Sequence, residues 1–127
     1  MVIYTIQEGV LEITGSGAYA SAEWDAVLEA VRNDPFAPDG APLIIDSRAM
    51  QIAMSSVRLI DRIRNLRARL GPKMGSACAM VVSPENVFIS QQFQSFSEEL
   101  INLRVGIFTD KSEARRWLLA GEPAVRR

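Results

Sequence analysis

The chain has 127 residues, 48% of them hydrophobic and 23% charged, with a formal net charge of −1 at pH 7. This suits one soluble domain, residues 1–127, that hides about two-thirds of its unfolded surface, and near-neutrality gives no general attraction to nucleic acid or anionic membrane. There is no histidine and one cysteine, which removes the commonest general base, His-activated Ser or Cys nucleophiles and any intrachain disulfide.

Val2–Glu8 and Val10–Thr14 read as two short strands, with Gly9 as the turn of a hairpin. The opening Met1–Thr5 lacks a basic, apolar leader pattern, and no apolar stretch approaches the roughly 20 residues of a membrane span. A cytoplasmic protein without an integral membrane segment is therefore expected. Thr14-Gly15-Ser16-Gly17 lacks the lysine-serine pair of a phosphate loop and reads as a flexible loop. Ser21 then caps a helix whose apolar positions Trp24, Val27, Leu28 and Val31 share one face. Asp34-Pro35 ends it, and a Pro/Gly loop follows over residues 36–42.

Leu43-Ile44-Ile45 is wholly apolar, as in a strand buried on both faces. A second helix over Ser55–Leu70 carries the stripe Leu59, Ile63, Leu66 and Leu70 and stops at Gly71-Pro72. Ala77–Val82 is another buried strand. Ser83-Pro84 opens a third helix, serine as cap and proline at its first position, with the stripe Ile89, Phe93, Phe96 and Leu100. Val105–Phe108 is a last strand. Asp110 and Glu113 start a fourth helix through Ala114, Trp117 and Leu118, ended by Gly121 and Pro123. The order β-β-α-β-α-β-α-β-α is an α/β fold with a mixed, mostly parallel central sheet.

That order, with three phrases, resembles the SpoIIAA-like family, relatives of the STAS domain of anti-sigma-factor antagonists and sulfate transporters. The phrases are Ser21-Ala-Glu-Trp24, Leu43-Ile-Ile-Asp46-Ser-Arg48, and Val105-Gly-Ile-Phe-Thr-Asp110 running into Glu113-Ala-Arg-Arg-Trp117-Leu118. The resemblance implies a STAS/Sec14-type fold and a non-enzymatic regulatory or protein-interaction role in bacteria. In the STAS pattern an Asp-Ser-Ser-Gly-like phrase opens the helix after the third strand, and its first serine accepts phosphate from a kinase. Met54-Ser55-Ser56-Val57 falls on that phrase, so the resemblance puts Ser55 at the phosphoacceptor position, with Met54 and Val57 replacing the aspartate and glycine. By analogy with Sec14-like domains, it also implies binding of a lipid or other apolar molecule.

Read from the residues alone, Ser55 and Ser56 are helix caps or a phosphorylatable pair. Arg58, Arg62 and Arg69 run beside the apolar stripe of the second helix, either as a face for an acidic partner or as a solvated face. Phe88 lies off the stripe of its helix and, with them, is assigned to a partner face. Asp46, Arg48, Ser83 and Asp110 follow successive strands and line one rim, where open α/β sheets bind ligands. Cys78, in an apolar run, is expected to be inert. No metal or cofactor motif is present. Two functions stay open: a protein-interaction module with a protein partner or a second copy of itself, or a binder of a small apolar molecule or lipid in a cavity under the second and third helices.

Overall fold

The computed structural model describes residues 1–120. β1 (Val2–Gln7) and β2 (Val10–Ala18) form an antiparallel hairpin. Its turn places both Glu8 (φ 54°) and Gly9 (φ 78°) in the left-handed region, as a two-residue hairpin turn of type I′ requires. Then come α1 (Ser21–Arg32), β3 (Ala41–Gln51), α2 (Ser56–Leu70), β4 (Met74–Val81), α3 (Val87–Ile101), β5 (Arg104–Phe108) and α4 (Lys111–Leu119). The five strands lie in the order β1-β2-β3-β4-β5, and every pair except the first is parallel.

The strand order explains where the helices go. From β2 to β5 the chain always steps to the next position, so right-handed crossovers put α1, α2 and α3 on one face. Trp24, Leu28 and Val31 of α1 and Leu66 and Leu70 of α2 pack there against Leu11, Ile13, Leu43 and Ile45. Complete burial of each such side chain contributes about 1.5–3 kcal/mol. Among the described residues the other face receives only α4, whose Ala114 and Leu118 pack with Val10, Ile44, Ala79 and Val81. Alternation along each strand sends successive side chains to these two layers. Cys78 is buried in the larger layer, where desolvation pushes its thiol pKa well up. It stays protonated and unreactive.

Several local expectations are corrected. β3 runs for 11 residues rather than three, because its ladder with β2 continues to the pairs Gly17↔Met50 and Ala18↔Gln51 after β4 has ended. Thr14–Gly17 is likewise strand, with a register shift between Thr14 and Ser16. A Cβ on Gly15 would overlap Met50 Sδ, so glycine there permits close approach of a side chain from the next strand. Ser21 does not cap α1. Ala20 holds the cap position without a side-chain bond, and Ser21 Oγ accepts from Arg58 instead.

Ser83-Pro84 opens a turn of 3-10 helix (Pro84–Asn86) ahead of α3, and Ser83 makes no capping bond. Buried Asn86 donates from Nδ2 to the carbonyls of Ser47 (3.3 Å) and Met50 (3.1 Å), tying this turn to β3. The expected stripe on α3 is only half-buried, and the fully buried helix positions are Ser90 and Ser97. Serines are small enough to let a helix settle closely, and a hydrophobic pattern does not reveal them. Asp110 caps α4 as expected, accepting from the Ser112 amide at 3.0 Å. The expected stop at Gly121 and Pro123 lies outside the described residues.

Candidate functional site

The start of α2 is built by its own backbone needs. Ser55 Oγ accepts from the Arg58 amide at 3.2 Å, satisfying one of the free N–H groups of the first turn. Ser56 Oγ is 3.5 Å from Gln92 Nε2 of α3. This brings the first turn of α2 beside the second turn of α3. Both serines are exposed, and so are Val57 (74%) and Phe88 (72%). Phe88 lies four residues before Gln92, on the same side of α3. Each of these two helices thus exposes an apolar side chain in its first turn, and the serine that caps α2 is exposed too.

Arg58, Arg62 and Arg69 of α2 are engaged within the chain. Arg58 donates to Ser21 Oγ at 2.6 Å. Arg62 donates to Tyr19 Oη at 2.5 Å and Asp25 Oδ1 at 2.7 Å. Arg69 reaches Glu29 at 2.5 Å and Asn65 at 2.8 Å. Burial opposes ionisation of Asp25, but bonds from Arg62 and Asn65 and the charges of Arg62 and Arg69 outweigh it, holding its carboxyl below the ordinary range. The ridge clamps α1 to α2. Its local charge is largely answered by α1.

The rim residues divide. Asp46 and Arg48 lie within β3, not after it, and the guanidinium grips the carboxylate through 3.0 and 2.8 Å bonds. Burial pushes the Asp46 carboxyl up, yet the Arg48 side-chain and amide bonds, with the Arg48 and Lys111 charges, leave it below its ordinary value. The Asp46 bond, against the cost of burial and with the charges of Asp46, Asp110 and Glu12, holds the Arg48 guanidinium above its ordinary pKa. Lys111, the next residue, joins Glu12 at 2.5 Å and Asp46 at 3.7 Å, and Arg115 bridges Glu8 and Glu12. Asp46 and Arg48 therefore share an ion network under α4, whose partners Glu12, Lys111 and Arg115 lie too far off in sequence to be foreseen, and Asp110 stands at the start of α4 as its cap. Ser83 Oγ is buried without a hydrogen-bond partner in the protein.

Between α1, α2, the first turns of α3 and the sheet lies a cavity of about 90 Å³. It is walled mainly by apolar side chains, among them Leu28, Ile45, Leu59, Met80 and Phe93. Trp24 and Ser90 line it too, and neither Trp24 Nε1 nor Ser90 Oγ has a partner in the protein. Ser47, between Asp46 and Arg48 in sequence, projects to this opposite face and also lines it. An apolar-stripe reading cannot single out these polar wall residues, because Ser90 is a polar position on a helix.

No family model matches the sequence, and no curated protein matches it. Among the solved structures that match its fold, two do so over nearly the whole chain. An anti-sigma factor antagonist from Mycobacterium paratuberculosis superposes with a TM-score of 0.62 at 13% identity, over 94% of this chain and 93% of that one. An uncharacterised DUF3478-family protein from Shewanella loihica, described as having a SpoIIAA-like fold, gives 0.61 at 15% identity, over 93% and 92%. The chain has the SpoIIAA-like, STAS-like fold expected from its sequence. Identities this low speak to fold, not to activity.

Proposed function

We propose that this SpoIIAA-like domain is a non-enzymatic module that works by docking a protein partner at the joined starts of α2 and α3. The observation that carries the reading is the pair of exposed apolar side chains, Val57 in the first turn of α2 and Phe88 in the first turn of α3, on helices that meet through Ser56 and Gln92, with exposed Ser55 capping α2. Apolar groups surrounded by polar ones mark contact surfaces, and one of the fold's solved examples is an anti-sigma factor antagonist. Ser55 serves as the phosphoacceptor in this reading. A phosphate on its hydroxyl would meet the positive end of α2 and replace the cap it now makes. Incubation with host lysate and ATP, followed by mass spectrometry, should add phosphate to the wild type and not to Ser55→Ala. Equal labelling of both, or of neither, removes the switch.

Docking is tested by affinity capture from the host with the wild type and a Val57→Asp/Phe88→Asp variant. The reading expects a defined partner that the double variant loses, and undiminished capture overturns it. Sedimentation of the purified protein identifies the case in which that partner is a second copy of the chain.

The cavity favours a second reading, in which the domain binds a small apolar molecule. At about 90 Å³ it is smaller than the roughly 150 Å³ hydrocarbon-walled cavity that accepts benzene. A molecule of a few heavy atoms suits it better than a lipid chain. Native mass spectrometry of freshly purified protein should then show no retained phospholipid, and a bound lipid would restore the larger ligand.

A further inference from the structure

We propose that the cavity between α1, α2 and α3 binds a compact, uncharged, mainly apolar molecule carrying one hydrogen-bond acceptor oxygen. This rests on the small-molecule reading and adds the chemistry of the ligand. The polar wall residues are Tyr19, Trp24, Ser47, Arg62 and Ser90. All can donate a hydrogen bond and none is a carboxylate. Arg62 is already answered by Tyr19 and Asp25, and Ser47 Oγ faces the Val81 carbonyl at 3.5 Å.

Two groups are left over. Trp24 and Ser90 are 7% and 1% exposed, and their Nε1 and Oγ have no partner within the protein. The indole N–H can only donate, and buried donors are almost always paired. An acceptor supplied from the cavity completes it, with the Ser90 hydroxyl available as a second donor. The remaining wall gives an ion nothing to offset its lost hydration, since Arg62 is neutralised by Asp25 at 2.7 Å. The occupant is therefore neutral, and the volume limits it to a few heavy atoms.

Tetrahydrofuran and cyclopentane test this, being near-identical rings of which only the first has an acceptor. The chain has two tryptophans, so the indole N–H signals in a nitrogen–proton correlation spectrum give a reporter and a control. Trp117 packs against Phe108 and Arg104 on the other face of the sheet. Tetrahydrofuran should move the Trp24 indole signal downfield and saturably, with Kd on the order of millimolar for so small a ligand, and leave Trp117 in place. Cyclopentane should produce no downfield shift. Ser90→Leu, which fills the cavity, should abolish the response. Trp24→Phe, should the filled variant not fold, should weaken tetrahydrofuran binding about fivefold in saturation-transfer spectra.

Equal saturable binding of both rings without the downfield shift overturns the acceptor assignment and leaves the small-molecule reading standing. Binding of neither, or a water molecule held by both groups that tetrahydrofuran does not displace, overturns both. Matching shifts at Trp24 and Trp117, or a response that survives Ser90→Leu, places the contact elsewhere and also overturns the proposal.

Discussion

Replacing Arg62 by alanine removes two bonds at once, to Tyr19 Oη at 2.5 Å and Asp25 Oδ1 at 2.7 Å. The two charged side chains are only 16% and 25% exposed, so solvent screens them less than a surface pair. A hydrogen bond to a charged group contributes about 1.5–3 kcal/mol. After the substitution Asp25 keeps Asn65 at 2.9 Å and Arg69 at 3.5 Å. The loss should therefore stay below the roughly 3–5 kcal/mol of an orphaned buried charge. We expect Arg62→Ala to cost about 2–3 kcal/mol, with a coupling to Asp25→Ala of about 1.5 kcal/mol.

Urea unfolding of the four proteins in the cycle measures that coupling. Its pH dependence has a definite sign. The folded Asp25 pKa lies below its ordinary 3.8, so the coupling is complete above that value and fades as pH falls through the lower, folded one. A coupling under about 0.5 kcal/mol at neutral pH, typical of exposed pairs, would refute the clamp. The arginine ridge would then be free for a partner, as the residue pattern alone allows.

Gly75→Ala should destabilise by about 2–3 kcal/mol, because its Cβ would meet the Gly40 and Ala41 carbonyl oxygens at 2.5 and 2.7 Å; a loss of no more than about 0.5 kcal/mol, as at an ordinary surface position, refutes the close approach. Asp46→Asn should cost about 1–2 kcal/mol near neutrality. Its carboxyl is held below the ordinary value, so the difference from wild type should shrink as pH drops from about 6 to about 2, and a gap that widens in acid contradicts the ion network. Ser55→Ala should lose about 1 kcal/mol and Ser55→Gly only a few tenths, measured by urea midpoints. Equal losses for the two would mean that the hydroxyl does more than cap α2.

Element type and order were legible in the sequence because they depend on local period and punctuation. The hairpin turn at Gly9, the stripe Leu59-Ile63-Leu66-Leu70, the stop at Gly71-Pro72 and the caps at Ser55 and Asp110 all follow from spacing and backbone needs within a few residues. From that order came the parallel crossovers, and the order together with the three phrases carried the resemblance to the SpoIIAA-like family, whose fold the chain has. Strand ends were less legible. Asp46-Ser47-Arg48 looks like the exit from an apolar strand, yet β3 continues because β2 still lies beside it.

Only the tertiary structure decided what the polar residues do. Arg62 meets Asp25 across 37 positions and Lys111 meets Glu12 across 99, and no local pattern encodes such pairings. Side-chain alternation sends Asp46 into the ion network under α4 and its neighbour Ser47 to the cavity on the opposite face. Ser90, a polar residue on a helix, becomes buried only because α3 settles closely on its neighbours. Hydrophobic period selects which face of an element turns inward; which donors and acceptors then meet depends on the packing of whole elements against one another.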